Sequence, residues 1–228
     1  MSSNEKPDLS TEYRAVMLVT TPTIGMWSRL EVTGLEHIPA SGPTLILANH
    51  ESYWDPVAIG LAAQSRRQIC ALAKSSLWKN AVVGKILDGM GQIPINRGTG
   101  DAGALDDAIA KLREGTCIGV FPEGTRSEGR KLRARSGAGF LAKAVPETTI
   151  VLARVRGTTD IVRFPKRPHV RVEFFPPAGG QLQEGESAAR LMTRLMAEIR
   201  ADVPPETPGR SKTAAKLRAR NAAEPAKK

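Results

Sequence analysis

One histidine in this sequence is placed where it could act as a base. His50 lies in the octapeptide NHESYWDP, directly after the apolar run TLILA, and Asp55 follows five residues later. A carboxylate at that spacing can accept the imidazole Nδ1–H and leave Nε2 free to take a proton. A structural alternative stays open, because Asp55 followed by Pro56 is also typical of a helix start, with Asp at the N-cap. The other histidines, His37 and His169, have no such partner and are assigned to structure.

The candidate base has no obvious protein nucleophile. No Gly-x-Ser-x-Gly motif is present, and Cys70 and Cys117 lie in apolar runs that predict buried thiols without a disulfide framework or zinc site. Ser52 is the nearby hydroxyl and is kept as an alternative nucleophile. We therefore expect the substrate to bring its own hydroxyl, which His50 would deprotonate as it attacks an activated carbonyl.

A second polar stretch, FPEGTRS, spans residues 121–127 and follows another apolar run. Gly124 permits close backbone approach, Thr125 supplies a hydroxyl donor, and Arg126 has the planar fork that matches a phosphate. An ordinary turn with a surface arginine is the alternative. Further basic residues lie before and after the stretch: Arg97, Arg130, Lys131, Arg133 and Arg135. Together they favour an anionic substrate.

The elements that would position these residues are those of an α/β sheet covered by helices. The strand candidates are 30–34, 44–48, 69–73, 92–95, 116–121, 149–155 and 169–175. The helix candidates are 56–64, 75–89, 101–114, 136–145 and 187–200. Ligands of open α/β sheets gather beyond the carboxyl ends of the strands, where His50, Arg97 and FPEGTRS all lie. We expect them to share one cleft.

The two ends of the chain differ in composition from the middle. Residues 15–28 are uncharged, but fourteen residues with Pro22 inside fall short of the roughly 20 that span a bilayer. We expect a helix in the membrane interface there, with a buried helix as the alternative. The side chains expected to insert are Met17, Leu18, Ile24, Met26 and Trp27. Residues 203–228 carry seven Lys or Arg against two Glu, which predicts a disordered basic tail.

In this order, NHESYWDP, GQIPINR and FPEGTRS resemble the motifs of the glycerolipid acyltransferase superfamily, most closely those of the 1-acylglycerol-3-phosphate acyltransferases. The resemblance covers roughly residues 30–160. It implies a single α/β domain with a mixed, about seven-stranded sheet covered by helices, like that of glycerol-phosphate acyltransferases, and an N-terminal apolar helix. The expected organisation is a membrane-interface segment over 1–29, an acyltransferase domain over 30–202 and the basic tail over 203–228.

The resemblance also implies an activity and a set of site residues. A fatty acyl group would pass from acyl-CoA or acyl carrier protein to the free hydroxyl of 1-acyl-glycerol-3-phosphate, giving phosphatidic acid without an acyl-enzyme, metal or cofactor. His50 would be the general base and Asp55 its orienting partner. Substrate binding would fall to Arg97, Glu123, Gly124 and Arg126, and the residue chemistry described above adds Thr125 and Arg135. The enzyme would sit peripherally on the anionic cytoplasmic face of the cell membrane.

Two departures from the family pattern concern the donor side. The fourth motif usually has a proline inside an apolar strand, whereas this chain has Leu152 and Ala153 followed by Arg154. Ala134 and Arg135 stand where an aromatic residue and a lysine are usual. Donor type and chain length are therefore left open.

Two other functions remain as alternatives. One keeps the mechanism and changes the acceptor to another phosphorylated lysolipid or a polyol lipid. The other is a non-enzymatic binder of membranes or nucleic acid, which the formal net charge of +10 allows. That binder leaves NHESYWDP unexplained, and ten aromatic residues are few for a single-strand stacking platform. We expect no nucleic-acid partner.

Overall fold

The fold was obtained as a computed structural model, which describes residues 7–96, 101–161 and 167–223. In these ranges seven strands form one sheet in the order β1-β7-β6-β2-β5-β3-β4. The strands are β1 Glu31–Thr33, β2 Thr44–Ala48, β3 Cys70–Lys74, β4 Ile93–Ile95, β5 Cys117–Val120, β6 Thr149–Arg156 and β7 Arg171–Phe175. Neighbours pair in parallel except β6 and β7, which are antiparallel. The mixed seven-stranded sheet is thus confirmed, and each strand overlaps its predicted run.

Helices cover both faces of the sheet. They are α1 Thr11–Thr20, α2 Asp55–Ala63, α3 Ala81–Gly89, α4 Ala102–Arg113, α5 Gly137–Ala144, α6 Ala188–Arg200 and α7 Ser211–Ala223. Strand β2 is buried throughout, and its side chains alternate between two cores. Leu45 and Leu47 pack in the core that includes residues of α4, α5 and α6, whereas Ile46 and Ala48 pack in the core that includes residues of α1 and α2. A fully apolar central strand is what two covered faces require.

The central strands bring distant loops to one edge of the sheet. β2 runs parallel to both β5 and β6, so the residues that follow all three strands leave the sheet on the same side. These are the loop that begins with Asn49, the FPEGTRS loop and the residues around Thr158. Two of the three groups predicted to share a cleft, His50 and FPEGTRS, therefore lie at the same edge of the sheet, and the third, Arg97, lies outside the described residues.

One predicted helix is interrupted. The expected helix over 75–89 is a 3₁₀ turn over Ser75–Lys79 followed by α3. Asn80 starts the new helix, because its side-chain oxygen accepts hydrogen bonds from the amides of Val82 and Val83 at 3.0 and 3.2 Å. The apolar residues keep a helical period across this boundary and so predicted one helix. The Asn80 cap starts a new helix at this point instead.

The N-terminal segment is helical and partly buried. After α1 the chain continues in a π-helical turn over Thr21–Trp27. Met17 and Ile24 are buried in the core, so the expectation that they insert into a membrane is wrong. Leu18, Val19 and Met26 are exposed. None of the helices in the described part of the chain is both long and apolar enough to cross a bilayer.

The C-terminal segment also differs from the disordered tail that the sequence predicted. Val203 is buried, and α7 follows within the basic stretch. Arg220 donates to the Glu128 carboxylate at 2.8 Å, and the side chain of Asn221 donates to the Glu128 carbonyl at 2.8 Å. The sequence did not predict this helix because the segment has few apolar residues. Polar contacts to Glu128, directly after FPEGTRS, hold the helix in place.

Candidate active site

His50 and Asp55 meet at the carboxyl end of β2. The His50 Nδ1 atom lies 2.9 Å from Asp55 Oδ2, and both side chains are buried, with residue exposures of 5% and 0%. A carboxylate can only accept, so the hydrogen sits on Nδ1 and Nε2 is the basic nitrogen. The contact predicted from the five-residue spacing is therefore present.

The Asp55 carboxylate is held by more than the histidine. Oδ2 also accepts from the amides of Glu51 and Ser52 at 2.6 and 2.8 Å, and Oδ1 accepts from Thr158 Oγ1. The sequence allowed Asp55 to be the N-cap of α2, but the N-cap is Trp54 and the helix begins at Asp55 itself. The amides that Asp55 binds precede it in the chain, so the carboxylate serves the His50 loop.

Asn49 fixes the loop from the other side of His50. Its amide side chain donates to the Val155 carbonyl at 2.9 Å and accepts from the Val155 amide at 2.8 Å. These two bonds satisfy the backbone of β6 where β2 has ended. His50 thus lies between Asn49, which is bound to β6, and Glu51, whose amide is bound to Asp55.

The FPEGTRS loop packs directly on the histidine. The ring of Phe121 stacks on the imidazole with centroids 4.2 Å apart and planes 22° from parallel. The Ser127 amide donates to the His50 carbonyl at 2.8 Å. Gly124 has φ of +71°, and a Cβ there would come within 2.5 Å of Arg135 Nε. Glycine is needed at 124 both for the turn and for the passage of the Arg135 side chain.

Glu123, predicted to help shape the acceptor site, also has a partner within the chain. It is buried, and its carboxylate accepts from Arg200 Nε at 3.0 Å and from Nη2 at 2.6 Å. Burial raises the pKa of Glu123, and the hydrogen bonds and charge of Arg200 oppose that rise. Glu123 still borders the cavity described below, but its charge is directed at Arg200.

A cavity of about 680 Å³ adjoins this loop. Its apolar wall includes Leu72, Ile95, Leu105, Val120 and Phe140. Phe121 lines it as well, so the cavity reaches the ring that stacks on His50. Its volume and its apolar wall fit an aliphatic chain.

The predicted phosphate ligands occupy two places. Thr125 and Arg135 line the cavity together with Arg133. Within the described ranges, the guanidinium groups of Arg133 and Arg135 have no hydrogen-bond or ion-pair partner, and both residues are exposed. Arg126 instead lies 3.8 Å above the Tyr53 ring and donates to Tyr53 Oη at 2.9 Å.

The remaining residues singled out in the sequence are Arg97, the two cysteines and Arg154. Arg97 lies outside the described residues. Cys70 and Cys117 are free and buried, as predicted. Arg154, the departure in the fourth motif, is not among the residues that line the cavity, and its Nη2 donates to the Glu198 carbonyl at the end of α6 at 3.0 Å.

Four residues of the site were not assigned a role from the sequence: Asn49, Glu51, Thr158 and Arg200. The first two stand inside the octapeptide, so their position beside His50 was the available signal. Thr158 and Arg200 are 103 and 149 residues from their partners Asp55 and Glu51. No local pattern indicates contacts of that range.

Comparison with known proteins is consistent with this site. The family model described as Acyltransferase matches residues 29–156. A 1-acyl-sn-glycerol-3-phosphate acyltransferase of Borreliella burgdorferi is 36% identical over 123 residues, which is 52% of this chain and 48% of that protein. One of Bacillus subtilis is 29% identical over 98 residues, 43% of this chain and 49% of that protein. The chain thus spans about half the length of these curated relatives.

A solved structure shares the fold. The crystal structure of a 1-acyl-sn-glycerophosphate (LPA) acyltransferase from Thermotoga maritima superposes with a TM-score of 0.62 at 21% identity. The superposition covers 84% of this chain and 80% of that one. At this identity the likeness concerns the architecture alone.

Proposed function

The chain belongs to the acyltransferase family, and on that premise we propose that it makes phosphatidic acid. It transfers a fatty acyl group from an acyl thioester, acyl-CoA or acyl carrier protein, to the free hydroxyl of 1-acyl-glycerol-3-phosphate. The relatives from Borreliella burgdorferi and Bacillus subtilis, which are named as acyltransferases for this acceptor, support it. The observation that carries the proposal is the buried His50–Asp55 pair next to an apolar cavity whose wall contains two arginines without a side-chain partner among the described residues.

His50 acts as the general base in this reaction. Nε2 takes the hydroxyl proton while the acceptor oxygen attacks the thioester carbonyl carbon. A C–O bond forms, the tetrahedral intermediate collapses with cleavage of the C–S bond, and the leaving thiolate takes the proton back from the imidazolium. Asp55 keeps the hydrogen on Nδ1 and stabilises the imidazolium while it exists.

Direct attack by the substrate agrees with the surroundings of Ser52. Its amide donates to Asp55, and its Oγ accepts from the Trp54 amide at 3.3 Å, so both groups serve the turn that presents His50. We expect labelled donor without acceptor to leave the protein unlabelled. A trapped acyl ester on Ser52 would contradict direct attack.

The apolar and the charged parts of the substrates are proposed to bind different walls of the cavity. The apolar wall takes an acyl chain, and Arg133 and Arg135 take a phosphate near Thr125. Arg126 is proposed to support the Tyr53 side of the acceptor site, and Arg97 stays a predicted phosphate ligand. The guanidinium groups of Arg133 and Arg135 have no partner among the described residues. Because they recognise a phosphate and little else of an acceptor, a different phosphorylated lysolipid or polyol lipid is the alternative substrate.

We propose peripheral attachment to the cytoplasmic face of the cell membrane. Leu18 and Val19 on α1 are 75% and 74% exposed, Val82 on α3 is 69% exposed, and the two helices pack together. Exposed apolar side chains on adjoining helices suit an interface, and the basic charge suits anionic lipid. In vesicle flotation, Leu18→Ser/Val19→Ser should weaken binding to neutral and anionic vesicles alike. Unchanged flotation would remove these residues from the attachment surface.

The acceptor and donor are tested by one turnover panel. Purified protein is assayed with lysophosphatidic acid, lysophosphatidylcholine and lysophosphatidylglycerol against acyl-CoA and acyl carrier protein thioesters of several chain lengths. Preference for lysophosphatidic acid by the full-length chain supports the proposal, and faster turnover of another lysolipid replaces the acceptor. Absence of transfer to every acceptor would contradict the enzyme assignment.

A further inference from the structure

Arg200 is the residue through which the last helix of the sheet domain reaches the site. It ends α6, and its side chain is 13% exposed. Besides its bonds to Glu123, its Nη1 donates to Glu51 Oε1 and to the Val203 carbonyl. These three side chains are termed the Glu51–Glu123–Arg200 cluster. One guanidinium thus joins acids from two different motif loops.

Both acids of the cluster lie close in the chain to His50 or to the residue that stacks on it. Glu51 directly follows His50, and Glu123 stands two residues after Phe121, whose ring stacks on the imidazole. Ser127 closes the link, since its Oγ donates to Glu51 Oε2 and its amide donates to the His50 carbonyl. Arg200 therefore adds a second link between the β2 and β5 loops, beside the direct contacts that Ser127 and Phe121 make.

The cluster contains two carboxylates and one guanidinium, so its charges do not cancel. Glu123 faces Arg200 from α6 and Glu51 from the loop after β2. His50 and Asp55 adjoin Glu51 in that same loop, and the Glu206 amide donates to Glu51 Oε2 at 2.9 Å. Two buried carboxylates share one cation, and a buried charge without its partner is strongly unfavourable.

We propose that Arg200 is a positioning residue for acyl transfer: by binding Glu51 and Glu123 together it holds the His50 loop against the loop that carries Phe121. This inference rests on the proposed function for its kinetic assay. It assigns no contact with substrate to Arg200. Its effect is expected in kcat, because a small misplacement of the base slows the chemical step.

The same helix end supplies a matched control. Arg154 is 15% exposed, and it binds the Glu198 carbonyl and the carboxylates of Glu173 and Asp202 at 3.0 to 3.3 Å. It therefore binds the end of α6 without touching the two motif acids. A loss that comes only from a weaker α6 should appear in both variants.

The test compares Arg200→Met, Arg200→Lys and Arg154→Met, with rates expressed per folded molecule. Any acceptor that the wild-type enzyme turns over serves. Arg200→Met should lower kcat by about 10²-fold with a smaller change in KM. Arg154→Met should keep kcat within about threefold although it lowers Tm. Lysine carries the charge but lacks the fork that spans two carboxylates, so Arg200→Lys should lie between them.

The pH dependence separates positioning by charge from general stabilisation. At low pH a proton on Glu123 neutralises one acid, whereas at high pH the methionine variant has two facing carboxylates and no cation. The ratio of wild-type to Arg200→Met kcat should therefore grow as pH rises. A ratio that is constant with pH, or a loss in Arg154→Met equal to that in Arg200→Met, would overturn the proposal.

Two further readouts keep the result decisive. If Arg200→Met does not fold, Arg200→Lys decides, and wild-type kcat in that variant overturns the proposal. If the wild-type protein transfers acyl groups to no acceptor, the proposed function fails separately. Positioning is then read from the imidazole NMR signal of His50, which should change in Arg200→Lys and not in Arg154→Met; an unchanged signal in both would overturn it.

Discussion

The His50 loop packs on Phe121 of the cavity wall, and the arginine-rich segment over 130–135 contributes Arg133 and Arg135 to that wall, yet the two regions are built in opposite ways. The Asp55 carboxylate beside His50 accepts from four groups of the chain, and the imidazole is covered by Phe121. Arg133 and Arg135 are exposed, and their guanidinium groups bind no other described residue. The fold fixes His50, whereas no described residue fixes the two guanidinium groups. On the proposed function, chemistry and recognition are therefore separated between the two regions.

The largest effect should come from removing the fixed base. His50→Ala is expected to lower kcat by roughly 10²–10⁴-fold, the usual contribution of a general base. His50→Gln is the closer control for the space next to Phe121, and both variants should keep donor binding. More than a few per cent of wild-type activity in either would break the comparison, because the loop would then be structural.

A smaller effect is expected from the recognition side. Arg135→Ala should lower kcat/KM for a phosphorylated acceptor by an amount that corresponds to about 1.5–3 kcal/mol, mainly through KM. The exposed Arg113 at the end of α4 lines no part of the cavity, and Arg113→Ala is the control. Equal kinetics in the two variants would remove Arg135 from the phosphate site.

The comparison is sharpened by a change in the fixed region that leaves the base in place. Thr158→Val removes the donor to Asp55 Oδ1 and keeps the shape of the side chain. An unsatisfied buried acceptor should destabilise the fold by about 1–3 kcal/mol, with a loss in kcat well below that of His50→Ala. Chemical denaturation measures the first quantity. An unaltered free energy of unfolding would mean that Oδ1 finds another donor.

The smallest kinetic effect is expected when α7 is removed. Deletion of residues 209–228 leaves Val203 and Glu206 in place, and it should change kcat by less than about threefold while weakening binding to anionic vesicles. Deletion from residue 203 also removes the Glu206 amide from Glu51, so it should cost far more activity. If the two truncations behave alike, the segment 203–206 has no part in holding the site.

Strands, and contacts between residues close together in the sequence, could be predicted. Contacts between residues far apart in the sequence could not. The seven apolar runs predicted the strands because both faces of the sheet are covered. The His50–Asp55 contact followed from a spacing of five residues. The break at Asn80 was missed because apolar periodicity outweighed a single capping residue. The Glu123–Arg200 pair was not predicted because its members lie 77 residues apart, and no pattern within either segment indicates the pair.

The position of Arg200 in the chain also sets an order of assembly during synthesis. Glu51 and Glu123 leave the ribosome long before the arginine that neutralises them, and the Glu206 amide comes later still. A nascent chain that ends before α6 has His50 and Asp55 but carries two acids that favour water over burial. We expect such a chain to keep the cleft open and hydrated, and the reactive pair to become enclosed only when translation has passed the end of the domain.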